Sequence, residues 1–468
     1  MGESAGVQGN LLVAVVLLGW FPVAISLFTF MRPRRAVIAG FLIAWMFLPV
    51  AEYQFRALPE LNKITVTSMS LILGVVIFDT SRLINLRPRW YDVPMLAFCL
   101  APFASSISNG LGAYDGASES FRLILRWGIP YLIGRMYFTT LQGLRELAFG
   151  LFIGGLIYIP LCLYEIRMSP QLHQIVYGYH QHSFIQHYRF GGWRPKVFMQ
   201  HGLMVGMFMT AAALSGFWLW RAKVLKHIYG IPPAAFVFSL LTVALLTRSA
   251  GSVILLFGGL AVLLATQLTR SRLPILALCI IPLLYVGFRI SGSTTGEWAA
   301  NAAAAVLGED RAQSLETRFL NETALSKRAL ERPAFGWGGW NRARIQDETG
   351  RDISITDSLW IIVLGMNGLF GLTMLGLALL LPPVLLAWRI RPAAWKTPQC
   401  AGAAVLAVLI GLWIVDSTLN AMITPLYILA MGGLAGMHRP APAHVLRPVR
   451  IALKKPVRPE PKEEADPA

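Results

Sequence analysis

Charged residues are scarce in this chain. Only 14% of its 468 residues are Asp, Glu, Lys or Arg, whereas 55% are hydrophobic; a soluble protein carries about 25% charged residues. A soluble domain of this size would lack the charge to cover its surface, so the composition excludes a cytosolic enzyme and a disordered chain. Cysteine is also rare. The four cysteines lie inside apolar runs without a CxxC pair, which excludes a secreted disulfide scaffold.

Long apolar runs dominate what remains. They are about 16–22 residues long, enough to cross a hydrocarbon layer of ~30 Å. Strands of outer-membrane barrels would instead alternate polar and apolar residues. We therefore expect an all-α polytopic membrane protein with about 12–13 transmembrane helices and one long helical external (periplasmic) loop. The predicted spans are 10–30, 35–51, 64–80, 91–109, 120–138, 145–165, 197–220, 229–247, 251–269, 273–290, 357–388, 399–416 and 420–437.

The spans divide the chain into four parts. We expect ten transmembrane helices in 1–290, with a His-rich external loop at 166–196, and then an external helical loop at 291–356. The C-terminal transmembrane helices follow in 357–437, and a disordered, Pro-rich tail in 438–468. Lys and Arg concentrate in one alternating set of short connections and in the tail, which predicts a cytoplasmic C-terminus. We therefore attribute the formal charge of +17 to basic residues in the cytoplasmic connections, and we expect no nucleic acid as a partner.

The loop 291–356 contains a predicted helix from Glu297 to about Glu331. A Gly- and Trp-rich segment follows it, and then Ser354 or Thr356, either of which can cap a membrane helix that begins near Asp357. The competing interpretation is a solvated amphipathic helix with surface ion pairs, Arg318–Glu322 among them. By helical spacing, one face of this helix carries Arg311, Leu315, Arg318 and Glu322.

Four of the eight histidines, His173, His180, His182 and His187, lie in the loop 166–196. A zinc site is conceivable if His180 and His182 share one side of a strand, but no Asp or Cys ligand is nearby. We predict neither a metal nor a cofactor. The loop ends in RFGGWRPKVFMQHG (189–202), which gathers basic residues at a membrane boundary, where interfacial snorkelling is the alternative explanation. Its polar residues are Arg189, Arg194, Lys196 and His201.

Several arginines fall inside or at the ends of apolar runs. Arg122 and Arg126 lie four residues apart on one helix face, Arg248 sits in LLTRSAGS, and Arg289 ends a span. A cation near hydrocarbon costs several kcal/mol unless a partner or a wet cavity receives it. Few carboxylates lie in the spans to act as partners. A bound phosphate or pyrophosphate would satisfy an arginine cluster, because planar guanidinium groups grip such oxygens in bidentate fashion.

Three stretches together resemble the bacterial O-antigen ligase and O-antigen or exopolysaccharide polymerase family. They are LLTRSAGSVILLFGGL (245–260), ETRFLNETALSKRALERPAFGWGGW (316–340) and DSLWIIVLGMNGLFG (357–371). The last fits the ligase spacing His-[Asn/Ser/Gln]-x9-Gly-x-x-Gly, but Asp357 stands where the ligases have histidine. A carboxylate at a helix N-terminus is favoured as the anion and is a weak base. Either Asp357 acts as base or orients the acceptor, or His201 or His187 is the base. This departure favours the polymerase branch.

The resemblance implies a metal-independent, inverting glycosyltransferase in the bacterial inner membrane. Its donor would be a glycan linked to a polyprenyl pyrophosphate such as undecaprenyl pyrophosphate, with membrane lipid and polysaccharide-assembly proteins as further partners. The implied catalytic residues are Asp357, His201 and Arg318. Trp193 and Trp337 are further candidates for stacking on sugar rings. The expected pyrophosphate- and glycan-binding residues are Arg194, Arg248, Arg289, Arg122, Arg126, Arg189 and Trp340.

Other functions fit part of the pattern. One is ligation of O-antigen to the lipid A core. A second is a transporter or flippase in which membrane arginines line an anion path, although the sequence shows no repeated halves. A third is a structural component of an envelope-assembly complex that docks through its Pro-rich tail.

Overall fold

A computed structural model describes residues 9–55, 58–227, 230–292 and 309–438, and the chain in these ranges is mostly helical. The helices are α1 Leu11–Phe30, α2 Pro33–Phe47, α3 Lys63–Phe78, α4 Thr80–Ile84, α5 Val93–Ser108, α6 Ala113–Leu123, α7 Ile129–Tyr137, α8 Leu141–Met168, α9 Leu172–Tyr177, α10 Gly202–Arg221, α11 Pro233–Leu246, α12 Ala250–Thr269, α13 Leu273–Ile290, α14 Glu309–Leu330, α15 Leu359–Arg389, α16 Ala401–Asp416 and α17 Pro425–Ala435.

The described ranges also contain two small antiparallel hairpins and three short 3-10 helices, Trp90–Asp92, Phe184–His187 and Pro392–Ala394. Strands β1 Glu52–Phe55 and β2 Leu58–Asn62 join α2 to α3, and the two-residue strands β3 Tyr188–Arg189 and β4 Gly192–Trp193 lie before α10. The first hairpin leads directly into a helix, because the Asn62 side chain accepts from the Ile64 and Thr65 amides and caps α3.

Within the described ranges, six helices are long and apolar enough to cross a membrane: α1, α8, α10, α12, α13 and α15. Four shorter apolar helices, α3, α11, α16 and α17, accompany them. Large apolar side chains such as Phe257 on α12 and Leu283 on α13 are more than half exposed, which suits a surface covered by lipid. This confirms the coarse expectation of a mostly helical protein with helices able to span a membrane, while the count of 12–13 spans stays a prediction.

The centre of the bundle is built on α16 and α10. Every residue of α16 from Ala401 to Ile414 is buried, and so is most of α10. Indole rings pack in this core, where Trp127 stacks on Trp413 at 5.8 Å between ring centroids. A helix buried on all sides reads as uniformly apolar rather than amphipathic, which is why these two stood out as continuous apolar runs.

Most predicted boundaries agree with the helices within a few residues, and four local expectations do not. The run 399–437 divides as expected, since α16 ends at Asp416 and α17 begins at Pro425. The span 120–138 is interrupted by a π-turn at Ile124–Gly128, and α10 begins at Gly202 rather than at 197. No strand holds His180 and His182, which lie in irregular backbone. Neither Ser354 nor Thr356 caps α15, because its N-cap is Ser358.

Two further predictions concern residues that the structure does not describe. The first part of the predicted helix from Glu297 falls within 293–308, and the Pro-rich tail predicted at 438–468 is undescribed from residue 439 onward.

Candidate arginine and carboxylate site

All of the candidate residues lie at one end of the bundle, which we call the site end. It consists of the chain connections at 48–62, 109–112, 169–201, 247–249, 309–358 and 417–424 and of the adjoining helix segments that carry Arg122, Arg126 and Arg289. Long-range contacts tie these connections together. The Arg122 guanidinium reaches Glu60 on the first hairpin at 3.7 Å, and the Asn109 amide donates to the Gly336 carbonyl at 2.8 Å. The structure therefore gathers stretches of sequence more than two hundred residues apart.

Arg318 and Asp357 contact each other directly. The Arg318 Nε lies 3.0 Å from an Asp357 carboxylate oxygen, and the two side chains are 27% and 39% exposed. Arg318 sits on α14, and Asp357 lies two residues before α15. Two residues proposed from separate motifs thus form one partly exposed ion pair, open to a ligand from outside.

A second ion pair lies beside the first, and it is buried. The Arg289 Nε on α13 is 3.1 Å from Glu322 on α14, and both side chains are under 5% exposed. Arg289 also donates to the Phe319 carbonyl and the Thr323 hydroxyl. The Glu322 carboxylate is the acceptor for the Tyr285 and Ser358 hydroxyls. Glu322 therefore pairs with Arg289 and not with Arg318, so the expected Arg318–Glu322 pair is wrong.

Arg289 was expected to bind the pyrophosphate, but the structure pairs it with Glu322 instead. Its charge is neutralised, and its donors are occupied by groups of α14. In low-dielectric surroundings a matched carboxylate with further hydrogen bonds can hold a guanidinium in place. Arg289 and Glu322 therefore fasten α14 onto the end of α13, and through Ser358 onto the start of α15.

The Gly-rich segment after α14 fits against a break in α15. Gly368 has φ +64° inside α15, and Gly336 has φ +71°. A Cβ on Gly336 would lie 2.6 Å from the Gly368 amide nitrogen, so the two backbones can approach only without side chains. The Trp337 and Leu369 amides donate to carbonyls across this contact, at 2.9 and 2.7 Å. The second and third motifs of the resemblance thus interlock, and they fix Arg318 relative to Asp357.

A separate cluster of arginines donates to backbone carbonyls; it consists of Arg189, Arg194 and Arg248. Arg194 is buried and donates twice to the Arg248 carbonyl, both at 3.2 Å. Arg248, whose own backbone is left-handed at φ +53°, donates to the Arg189 and Phe190 carbonyls. The Arg189 Nε in turn donates to the Gln186 carbonyl at 3.2 Å. These arginines hold the second hairpin against the start of α12.

His201 caps α10. Its Nδ1 accepts the Leu203 amide proton at 3.1 Å, so in the neutral ring the proton resides on Nε2. Burial and the nearby Arg194 lower the pKa of His201 to about 3. With Nδ1 occupied and Nε2 protonated, His201 has no free lone pair for a substrate proton.

His187 is the other histidine considered as a base, and it is fully buried. Neither ring nitrogen has a hydrogen-bond partner among the described residues. Burial, followed by the charge of Lys196, lowers the pKa of His187 to about 3. Burial likewise lowers the pKa of Lys196 to about 8. Within the described ranges, no group of three His, Cys, Asp or Glu side chains comes together as a metal site.

A cavity of about 470 Å³ opens at the site end. Arg126 projects into it with an exposed side chain, opposite the carboxylates of Glu52 and Glu60. Arg122 is paired at 2.8 Å with Glu119 and at 3.7 Å with Glu60, so carboxylates near this arginine do exist, contrary to the expectation from the spans. Uncharged lining residues include Trp45, Asn62, Gln181, His182, Gln200 and Met204.

Of the candidate tryptophans, Trp337 and Trp340 lie against arginines, whereas Trp193 packs against Phe184 and Tyr188. Trp337 lies under Arg328 at 3.6 Å and under Arg332 at 4.9 Å, and its indole nitrogen donates to the Arg328 carbonyl. Trp340 is 48% exposed with Arg344 5.0 Å from its ring. Of these two rings, Trp340 is the one with surface to offer a ligand.

Sequence reasoning missed the carboxylates that complete this site. Glu322 was expected to pair along its own helix, and Glu52 and Glu60 lie in a hairpin that reads as an ordinary connection. Glu322 follows Arg318 by four residues, a spacing that favours an ion pair between these two and gives no sign of Arg289 as the partner. Nothing local marks Glu60 as the partner of Arg122, because hairpin and helix are about sixty residues apart.

Comparisons with known proteins do not identify a family for this chain. No protein-family model matches it, and no curated protein matches it either.

Proposed function

We propose that this protein is an inner-membrane glycosyltransferase that extends or ligates a glycan carried on a polyprenyl pyrophosphate, with polymerisation favoured over ligation. The observation that carries the proposal is the Arg318–Asp357 pair, partly exposed and 3.0 Å apart. It combines a fixed cation that can receive an oxyanion with a carboxylate that can receive a proton. The motif resemblance supplies the substrate class.

The proposed reaction is a single displacement. A hydroxyl of the acceptor glycan attacks the anomeric carbon of the donor, the bond to the diphosphate oxygen breaks, and polyprenyl pyrophosphate leaves with inversion. The leaving group gains negative charge as the bond breaks, and a positioned guanidinium stabilises that charge. In this proposal, Arg318 binds the departing diphosphate.

Asp357 accepts the hydroxyl proton. In the free protein its carboxylate is engaged by Arg318. A diphosphate that binds Arg318 competes for the same guanidinium and releases the carboxylate, so donor binding prepares the base. The histidines are poorer candidates, because the Nδ1 of His201 is occupied as a cap and His187 is fully buried.

The cavity is the proposed site for the glycan. The amides of Asn62 and Gln200 can donate to and accept from sugar hydroxyls, and the Glu60 carboxylate can accept from them. Arg126 lines this cavity and has no ion pair within 4 Å among the described residues. We assign Arg126 and Arg122 to the glycan or its phosphate, and Arg194, Arg248 and Arg189 to positioning of the loop.

This function requires the site end to face the periplasm. The excess of Lys and Arg in the opposite connections and in the tail favours that orientation. The C-terminus would then be cytoplasmic, as the charge pattern predicts. Further partners in the proposal are membrane lipid and polysaccharide-assembly proteins.

Replacement of Arg318 by Ala tests the proposal. We expect polymer formation to fall by about 10²–10³-fold, with lipid-linked repeat units accumulating in a deletion strain that expresses the variant. Lys327→Ala is the matched control, since Lys327 is exposed on the same helix and should leave the polymer unchanged. Normal polymer length in the Arg318 variant would end the catalytic proposal, and repeat units trapped on the cytoplasmic leaflet would indicate a flippase.

The base is tested separately at Asp357. Asp357→Asn keeps the size of the side chain but cannot accept the proton, so we expect about 10²–10⁴-fold lower activity. Asp357→His restores the residue type of the ligases and should recover part of the rate. Full activity of the Asn variant would reduce Asp357 to an orienting role. Accumulation of finished polymer still on its carrier lipid, instead of single repeat units, would indicate ligation.

A further inference from the structure

A second cavity lies at the end of the bundle opposite the site end. Its volume is about 570 Å³, and it is formed where the connection between α12 and α13 meets the end of α15. Three arginines line it: Arg270, Arg272 and Arg391. No carboxylate belongs to the lining, and none of the three guanidinium groups forms an ion pair with a described residue. The cavity thus concentrates three positive charges that the described residues do not neutralise.

One of these arginines is held in place by a ring. The Arg272 guanidinium lies 4.7 Å from the centroid of Trp388. Its Nε is buried and has no hydrogen-bond partner among the described residues. A buried donor without a partner is destabilising, and an acceptor from a bound molecule would satisfy it. The geometry therefore favours an anion that carries several oxygen acceptors.

The rim of the same cavity is apolar. Leu273 is 72% exposed and Trp388 is 59% exposed, and Leu276 and Pro392 continue the lining beside them. Both exposed residues belong to the ends of the apolar helices α13 and α15, where a membrane-spanning helix meets the headgroup layer. A free phosphate would use the arginines alone, whereas a phospholipid would use the arginines and the apolar rim together.

We propose that this cavity binds the headgroup of an anionic phospholipid. The phosphodiester lies among Arg270, Arg272 and Arg391, and an acyl chain lies along Leu273 and Trp388. Basic pockets between transmembrane helices bind anionic headgroups in this way. The site does not depend on the glycosyltransferase proposal, because it shares no residue with the site end.

Native mass spectrometry of the full-length protein in detergent tests this site. The purified protein is titrated with phosphatidylglycerol and, separately, with phosphatidylcholine, which has no net charge. We expect phosphatidylglycerol to be retained more tightly, and the double variant Arg272→Gln, Arg391→Gln to weaken that retention by about fivefold to thirtyfold. Arg35→Gln is the matched control, since Arg35 is an exposed arginine at the same end and lies outside the cavity. Its retention should equal that of the wild type.

Two results would overturn the proposal. Equal retention of phosphatidylglycerol by the double variant and the wild type would exclude these arginines as the site. Displacement of the lipid by millimolar inorganic phosphate, together with unchanged retention in Leu273→Ser, would indicate a site for the anion alone. Weaker lipid retention in Leu273→Ser, without any effect of inorganic phosphate, would support the lipid. Unfolding curves for each variant establish that it is folded.

Discussion

Two of the ion pairs that involve α14, Arg289–Glu322 and Arg318–Asp357, use the same chemistry in different surroundings. Arg289–Glu322 is almost fully buried, and its guanidinium and carboxylate make further hydrogen bonds to α13, α14 and Ser358. Arg318–Asp357, one helical turn away, is 27% and 39% exposed. The buried pair has no capacity left for a ligand, whereas the exposed pair can exchange its partner. Burial therefore separates a pair that holds the loop in place from a pair that can act on a substrate.

The largest expected effect is on the buried pair. Glu322→Ala leaves the Arg289 charge in the interior without its carboxylate, which should destabilise the protein by about 3–5 kcal/mol. Thermal unfolding in detergent micelles measures this loss. Glu331→Ala is the matched control, because Glu331 pairs with Arg328 on an exposed face of the same segment and should cost at most about 1 kcal/mol.

A double replacement sharpens that test. Arg289→Met together with Glu322→Leu removes both charges, and should recover part of the lost stability because no uncompensated charge remains. If Glu322→Ala cost less than about 1 kcal/mol, the contrast between the two pairs would disappear.

A buried histidine tests whether an unpaired charge is also destabilising elsewhere at the site end. The pKa of His187 is lowered from an ordinary value near 6.5 to about 3, so below pH 6.5 the unfolded chain binds a proton that the folded protein refuses. Stability should therefore fall as the pH drops from 6.5 toward 3, by up to about 1.4 kcal/mol per pH unit. Unfolding curves between pH 7.5 and 5 measure the slope.

His187→Gln is the comparison for this pH series, since glutamine carries no charge at any of these values. Its stability should depend on pH less steeply than that of the wild type. Parallel slopes for the two proteins would show that His187 is protonated as easily in the folded state as in the unfolded chain.

A smaller effect is expected at His201, which the structure uses as a helix cap. His201→Ala removes the acceptor for the Leu203 amide and should cost about 1 kcal/mol, whereas His201→Asn supplies another acceptor and should cost a few tenths. Polymer formation by the Asn variant should be close to normal. An inactive but stable Asn variant would make His201 the base and would displace Asp357 from that role.

The smallest effect on stability is expected at the exposed pair. Arg318→Ala should change the free energy of unfolding by no more than about 1 kcal/mol, because water solvates the remaining carboxylate. The same variant is expected to lose most of its activity, so the ratio of the two effects is the test. A loss of stability as large as that of Glu322→Ala would mean that both pairs are structural.

Most helices could be predicted because their cause is local. A run such as 251–269 is apolar on all sides, and the helix Ala250–Thr269 follows it within a residue. Irregular segments have no such signal. A strand that would place His180 and His182 on one side was considered for the loop 166–196, but contacts from elsewhere arrange this loop, among them the Val50 amide that donates to His173 at 3.1 Å. The N-cap of α15 is Ser358, whose hydroxyl donates to Glu322 and makes no capping bond to the helix.

The sequence predicted the residues of the candidate site, but it did not predict which of them contact each other. Arg318 and Asp357 came from two separate motifs, and only the interlocked backbones at Gly336 and Gly368 bring those motifs together. By itself, the amino-acid sequence determined where helices form and how apolar they are, because hydrogen bonding and hydrophobicity act over a few neighbouring residues. The tertiary structure alone decided which charge meets which, since Glu322 lies within reach of both Arg318 and Arg289 and the packing of α13 against α14 selects Arg289. Ion pairing depends on the distance between side chains in the folded protein, and the packing of helices that sets this distance cannot be deduced from any single segment of the sequence.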